Sequence, residues 1–134
     1  MTDNERRIFD LHVEREDLQS IKFELMSKLL DEELIKDILK ERQWKALYIY
    51  GGAPLGIQVY RTFNKFIPVH GIIDKSGTTK IHVENVKVYL PTDKIYMEDD
   101  DPIIITPIEY SDEIIEDLVK YVKCERIIQI NELF

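Results

Sequence analysis

The chain has 134 residues, of which 44% are hydrophobic and 33% charged, and its formal net charge is −8 at pH 7. This length suits one domain with a single core, and an acidic chain without a basic run is not expected to bind nucleic acid. No segment approaches the roughly 20 apolar residues of a membrane-spanning helix, and the charged N-terminus does not have the pattern of a signal peptide, so we expect a cytoplasmic protein.

The cysteines and histidines of this sequence are too few and too scattered to indicate a disulfide or a zinc site. Cys124 is the single cysteine, and His12, His70 and His82 are scattered without metal-ligand spacing. The acidic run at residues 98–101 could be read as a cation site, but adjacent carboxylates in a loop before a strand are usually solvated, and we favour that interpretation. The sequence therefore predicts no metal site.

The first third of the chain has a helical pattern. Residues 3–43 contain neither glycine nor proline, and Asp31 suits the N-cap of a helix that has Glu32 and Glu33 in its first turn. Apolar residues recur at helical spacing in two groups, which are Leu18, Ile21, Leu25 and Leu29, and then Leu34, Ile35, Ile38 and Leu39. One long helix and a pair of helices are both open.

After Trp44, short apolar runs typical of strands alternate with helical stretches. The predicted strands are residues 46–50, 69–74, 86–90, 102–106 and 126–130. Helices are predicted at residues 54–65 and at residues 111–122, the second with Ser111 as its N-cap.

This alternation predicts a parallel sheet, because each crossover helix must cover one face of it. We therefore expect an α/β fold, a Rossmann-like three-layer sandwich of about five parallel strands in the order 3-2-1-4-5. Residues 1–44 would form a helical extension, and residues 45–134 a Rossmann-like nucleotide-binding domain.

The stretch YIYGGAPLG, residues 48–56, joins the first predicted strand to a helix. A dinucleotide-binding turn has the pattern G-x-G-x-x-G in this position, followed about 20 residues later by an acidic residue at the end of the second strand. Gly51 would make the tight turn, Gly56 would allow close helix packing, and Asp74 follows Gly56 by 18 residues. The middle position is Ala53, whose methyl group crowds an approaching pyrophosphate.

Residues 46–134 resemble a known family through LYIYGGAPLGIQVYRTF, VHGIIDKS, VKVYLPTD, IIITPIEYSDEIIEDL and RIIQINELF. They look like the Rossmann-type nucleotide-binding domain of bacterial nucleotide-sugar and surface-polysaccharide enzymes. That domain is similar to the N-terminal part of membrane-associated sugar dehydratases and epimerases, and to the small domain of sugar acyltransferases. The helical N-terminus is unmatched.

The resemblance implies that the chain binds NAD or a nucleotide sugar. It implies that Asp74 and Lys75 would contact the ribose. The pyrophosphate or nucleotide would be lined by Gly51, Gly52, Ala53, Leu55 and Gly56. Thr106 and Pro107 follow the fourth strand at the edge where open sheets bind ligands, although this dipeptide also suits a simple strand end.

Catalysis has less support in the sequence than binding. Dehydratases and epimerases with this fold use a Tyr-x-x-x-Lys pair, and no tyrosine here is followed by lysine at that spacing. The sequence ends after the fifth predicted strand, so we expect no second half to hold a substrate against a nicotinamide. No catalytic residue is predicted.

Two functions are therefore open. The first is a nucleotide-binding module, a piece or relative of a sugar-modifying enzyme. The second is a non-catalytic interaction module that keeps the fold, has lost its ligand, and pairs through its N-terminal helices with itself or with a larger enzyme. The apolar stripe from Leu18 to Leu29 favours a homodimer, because a spare amphipathic helix is most simply buried by symmetric pairing.

Overall fold

The computed structural model describes Thr2, residues 18–75 and residues 86–134 of the chain. Four α-helices lie in these segments: α1, with described residues 18–29, α2 (Glu32–Arg42), α3 (Pro54–Phe63) and α4 (Ser111–Leu118). The strands are β1 (Leu47–Tyr50), β2 (Val69–Ile73), β3 (Val88–Tyr89), β4 (Ile103–Ile105) and β5 (Ile127–Gln129). His12 and His82 lie outside the described residues.

The five strands form one parallel sheet in the order β3-β2-β1-β4-β5, which confirms the predicted α/β fold and strand order. The central strand β1 pairs with β2 on one side and with β4 on the other. From β1, the strands β2 and β3 extend the sheet to one side, and β4 and β5 extend it to the other side. The strand order therefore reverses between β1 and β4.

Alternating side chains of the strands build two separate cores, as expected for a sheet covered on both faces. Leu47 and Ile49 of β1 belong to the core beneath α1, α2 and α3. Tyr48 and Tyr50 belong to the opposite core, together with Ile114 and Leu118 of α4 and with Tyr96. The predicted three-layer arrangement is therefore present.

The described residues 18–42 form two helices, α1 and α2, which pack on the first face of the sheet. Asp31 caps α2, since its side chain accepts a hydrogen bond from the Leu34 N–H at 3.2 Å, as the sequence predicts. Leu25 and Leu29 of α1 are 4% and 2% exposed and lie in the same core as Leu47. The apolar stripe is thus buried in part within one chain, and the division of the chain at residue 44 stays a prediction.

Helix α4 begins differently from the prediction. Ser111 is its first helical residue, and Tyr110 holds the N-cap position. The Ser111 hydroxyl donates a hydrogen bond to the carbonyl oxygen of Ile108 at 3.3 Å, in the preceding turn. The hydroxyl is therefore bonded backwards along the chain, and the prediction of Ser111 as N-cap is wrong. Within the described part of the chain, no helix is both long and apolar enough to cross a bilayer.

Candidate functional site

A large cleft lies at the carboxyl ends of β1 and β4, where the strand order reverses. Its volume is about 630 Å³. The glycine turn after β1, Asp74 after β2 and the loop from β4 to α4 form most of its lining, and Lys22 and Met26 of α1 form the remaining wall. Open α/β sheets bind their ligands at such a reversal, outside the carboxyl ends of the strands.

The two outer glycines of the turn are required by backbone packing. Gly51 has a φ of +110°, which side-chain-bearing residues rarely adopt, and a Cβ there would lie 2.6 Å from Thr106 Oγ1. A Cβ on Gly56 would lie 1.8 Å from the carbonyl oxygen of Gly51. The first turn of α3 therefore rests directly on the end of β1, and this contact fixes the floor of the cleft.

Asp74 holds the turn in place from the neighbouring strand. It directly follows β2, and its Oδ2 accepts a hydrogen bond from the Gly52 N–H at 2.7 Å. The Gly51 N–H donates to the carbonyl oxygen of Ile73 at 2.8 Å, so the turn is bonded to the end of β2 twice. The Gly52 N–H is therefore already hydrogen-bonded to the Asp74 carboxylate and is not available to donate to a phosphate.

The start of α3 offers a reduced set of backbone donors. Ala53 is the N-cap residue and makes no side-chain cap hydrogen bond, and Pro54 at the first helical position has no N–H. The N–H groups of Leu55 and Gly56 have no intrahelical acceptor, because they belong to the first turn. Helix N-termini attract anions through such groups.

Thr106 and Pro107 have structural roles at the end of β4. Thr106 is 1% exposed, and its hydroxyl donates a hydrogen bond to the carbonyl oxygen of Tyr50 at 2.8 Å. Pro107 lines the cleft, and its ring would contact any Cβ placed on Gly51. The Thr106 hydroxyl is therefore committed to the backbone of β1, and this pair of residues shapes the cleft.

Lys75 belongs to a second, smaller cleft on the other side of Asp74. This cleft has a volume of about 250 Å³ and shares Gly51, Asp74, Pro107 and Tyr110 with the larger one. The Lys75 Nζ lies 3.9 Å from Asp117 Oδ2 of α4. Asp74 and Lys75 are adjacent in sequence, but only Asp74 lines the larger cleft.

An ion pair joins α1 to the loop that follows β4. The Lys22 ammonium donates to Glu109 Oε1, and this contact holds the pKa of Glu109 below its ordinary value. Both residues line the large cleft. Sequence reasoning did not find this pair, because its members are 87 positions apart and no motif marks either of them.

Tyr50 is the tyrosine of β1 that faces the smaller cleft. Burial, assisted by the negative charges of Asp74 and Asp117, raises the pKa of Tyr50 to about 12. A tyrosine that acts as acid or base near neutral pH needs a lowered pKa. The surroundings of Tyr50 act in the opposite direction, so it is not suited to that role.

A polar network crosses the opposite, amino-terminal edge of the sheet. Arg126 is 4% exposed, and its guanidinium donates to Asp99 Oδ1 at 2.9 Å and to the carbonyl oxygens of Tyr96 and Asp101 at 2.7 Å. Asp99 Oδ2 accepts the Tyr48 hydroxyl at 2.6 Å. Burial, followed by this hydrogen bond, raises the pKa of Tyr48.

His70 extends the network, since its Nε2 lies 2.7 Å from Asp101 Oδ2. Ligand atoms of His70, Asp99 and Asp101 lie within 4.8 Å of one another. Asp99 is hydrogen-bonded to both Arg126 and Tyr48. We therefore interpret His70, Asp99 and Asp101 as parts of a structural network. In the acidic run at residues 98–101, Glu98 and Asp100 are exposed, as the interpretation as a solvated loop expects, whereas Asp99 and Asp101 are half-buried and hydrogen-bonded to other side chains.

The structure brings most of the predicted binding residues into one cleft. Seven of the nine line it: Gly51, Gly52, Ala53, Leu55, Asp74, Thr106 and Pro107. Gly56 packs behind the turn and Lys75 lines the smaller cleft. Comparison of the chain with protein-family models, with curated proteins and with solved structures finds no match.

Proposed function

We propose that the chain is a nucleotide-binding module that takes NAD or a nucleotide sugar in the large cleft. One observation supports this most: the cleft lies over a glycine turn at the reversal of strand order, which is where open parallel sheets hold nucleotides. The resemblance of residues 46–134 to the nucleotide-binding domain of bacterial nucleotide-sugar enzymes points to the same ligand class. The proposal includes no catalytic step.

In this proposal the ribose lies against Asp74. A carboxylate oxygen can accept more than one hydrogen bond, so Asp74 can hold the Gly52 amide and a ribose hydroxyl together. The same carboxylate repels a 2′-phosphate. We therefore expect the chain to prefer NAD over NADP.

Thermal unfolding in the presence of NAD, NADP, UDP-glucose and coenzyme A tests this proposal. A ligand that binds only the native state raises the unfolding temperature as its concentration increases. We expect such a rise with NAD or UDP-glucose, and a smaller one with NADP. No rise with any of the four ligands would contradict the proposal.

The role of Asp74 is best tested with Asp74→Asn, which removes the charge but keeps an oxygen to accept the Gly52 N–H. We expect this variant to bind NAD about tenfold more weakly and to lose most of its preference over NADP. Asp37→Asn on α2 is the matched control, because Asp37 is exposed and does not line the cleft. Unchanged NAD affinity in Asp74→Asn would remove Asp74 from the ribose site.

A second candidate is a non-catalytic interaction module that forms a homodimer through α1. Phe23 and Leu30 are each 75% exposed, and Met26 between them is 43% exposed. Phe23 and Leu30 lie seven residues apart on a side of the helical segment that faces away from the buried Leu25 and Leu29, and Met26 lies between that side and the cleft that it lines. An exposed apolar stripe of this kind favours association.

Light scattering on the full chain and on the double variant Phe23→Ser, Leu30→Ser tests this candidate. A homodimer that becomes a monomer in the variant would support it, whereas a monomer in both would contradict it. Heat denaturation of the purified protein separates the two candidates further. A nucleotide in the supernatant, identified by its ultraviolet absorbance and mass, supports the binding module.

A further inference from the structure

The charged side chains that line the large cleft are more acidic than basic, which is unfavourable for an anionic nucleotide. The described lining residues carry two carboxylates, on Asp74 and Glu109, and one ammonium, on Lys22. The formal charge of this lining is therefore −1. The diphosphate group of NAD or of a nucleotide sugar is negatively charged. Its binding in this cleft therefore requires a positively charged group or a strong set of backbone donors.

The glycine turn supplies only part of that requirement. The Gly52 N–H is bonded to Asp74 and Pro54 has no N–H, and Ala53 stands where dinucleotide-binding turns have the glycine that lets the pyrophosphate approach. In dinucleotide-binding turns this backbone carries most of the phosphate contacts. A phosphate in this cleft therefore needs a contact from outside the turn.

Lys22 is the one positively charged residue among the described residues that line the cleft. Its side chain is 41% exposed and that of Glu109 is 30% exposed, so the ion pair between them lies near solvent. Exposed ion pairs contribute little net stability, because water competes for both charges. The ammonium can therefore exchange Glu109 for another anion at small cost.

We propose that Lys22 is the phosphate-binding residue of this cleft, and that its ammonium leaves Glu109 to pair with a phosphate of a diphosphate-bearing nucleotide. The inference rests on the proposed nucleotide-binding function and adds to it. Glu109 acts as the resting partner that the phosphate replaces. The helical region outside the resemblance thus contributes a binding residue.

Isothermal titration of the full-length protein with NAD and with UDP-glucose tests this inference. We expect Lys22→Met to weaken binding of the ligand that the native chain takes by about tenfold, and Lys22→Arg to retain its affinity within about threefold. The matched control is Lys28→Met, on the same helix. Lys28 is 36% exposed, pairs with Glu24, and does not line the cleft, so this variant should bind as the native chain does.

A double-mutant cycle with Glu109→Gln identifies the exchange. With Lys22 present, Glu109→Gln should strengthen binding by about two- to fivefold, because the ammonium no longer has a competing partner. In the Lys22→Met background the same substitution should give a smaller gain, limited to the loss of repulsion by the carboxylate. Equal gains in the two backgrounds would overturn the exchange.

The possible failures are distinguishable. If the native chain binds neither NAD nor UDP-glucose, the proposed function is wrong and the role of Lys22 is wrong with it. If the native chain binds one of them and Lys22→Met binds it equally well, the function stands and the assignment of Lys22 is overturned. The unfolding temperatures of Lys22→Met and Lys28→Met are compared without ligand. Equal temperatures would show that weaker ligand binding by Lys22→Met is not caused by a loss of fold.

Discussion

Gly56 is the residue whose substitution should be tolerated least. A Cβ at this position would lie 1.8 Å from the Gly51 carbonyl oxygen, and both groups are backbone or directly attached to it. Relief would require α3 to move away from the end of β1. We expect Gly56→Ala to lower the free energy of unfolding by about 3 kcal/mol, measured by urea denaturation.

Ala53→Gly is the control for this prediction. It changes the size of the same turn by one methyl group at an exposed N-cap position, where glycine is well tolerated. Its free energy of unfolding should lie within about 0.5 kcal/mol of that of the native chain. An equal effect of both substitutions would show that the close contact at Gly56 has been misjudged.

At the scale of single residues, the sequence predicts which residues form the glycine turn better than it predicts which residues contact each other. Gly51, Gly56 and Asp74 could be placed because a turn between a strand and a helix has a fixed pattern of backbone requirements. The contact between Asp74 and the Gly52 amide depends on how β2 pairs with β1, and Lys22 meets Glu109 only after α1 has packed. Neither contact has a local signal in the sequence.

Helix α1 stabilises the sheet through its inward side. Leu29 is 2% exposed in the core beneath the first face, whereas its neighbour Leu30 is 75% exposed. We expect Leu29→Ala to lower the free energy of unfolding by about 3 kcal/mol, because the truncation leaves a cavity in a packed core. Urea denaturation of both leucine-to-alanine variants measures the difference.

Leu30→Ala supplies the matched comparison, with the same chemical change one position later. Its effect should stay within about 0.5 kcal/mol, because the side chain is largely in water already. A small effect for both leucines would mean that α1 contributes little to the stability of the sheet. A large effect for both would indicate that Leu30 is also buried in solution, as a homodimer through α1 requires.

At the scale of elements, short apolar runs and their flanking turns predicted the five strands to within about two residues at either end. The burial of α1 was harder to foresee. Its apolar spacing requires a covering surface but cannot say whether that surface is the chain's own sheet or a second copy. The start of α4 was missed by one residue, because the Ser111 hydroxyl bonds to the Ile108 carbonyl instead of capping the helix.

Across the whole molecule, the network around Arg126 ties the amino ends of several strands together. Asp99 precedes β4 and receives hydrogen bonds from Tyr48 of β1 and from Arg126, which precedes β5. Asp99→Ala would leave a buried guanidinium without its carboxylate. We expect this substitution to lower the free energy of unfolding by about 2 kcal/mol, measured by thermal or urea denaturation.

Asp100→Ala is the control, because the Asp100 side chain is 89% exposed and its nearest cation, the Lys123 Nζ, is 3.9 Å away. Its effect should be within about 0.5 kcal/mol. If both substitutions change the free energy of unfolding by a similarly small amount, Asp99 contributes no more to stability than a solvated carboxylate does. The sequence could not separate these two aspartates, because the partner that distinguishes them follows Asp99 by 27 positions.

The position of α1 also links the cleft to the local stability of the chain. One side of this helix buries Leu25 and Leu29, and the same helix presents Lys22 and Met26 to the cleft. A molecule held there would lose its contacts with Lys22 and Met26 when α1 detaches, so the free energy of these contacts would oppose local opening of α1. Amide hydrogen exchange in residues 18–29 should therefore slow as the cleft fills, which makes the protection of this helix a direct measure of occupancy.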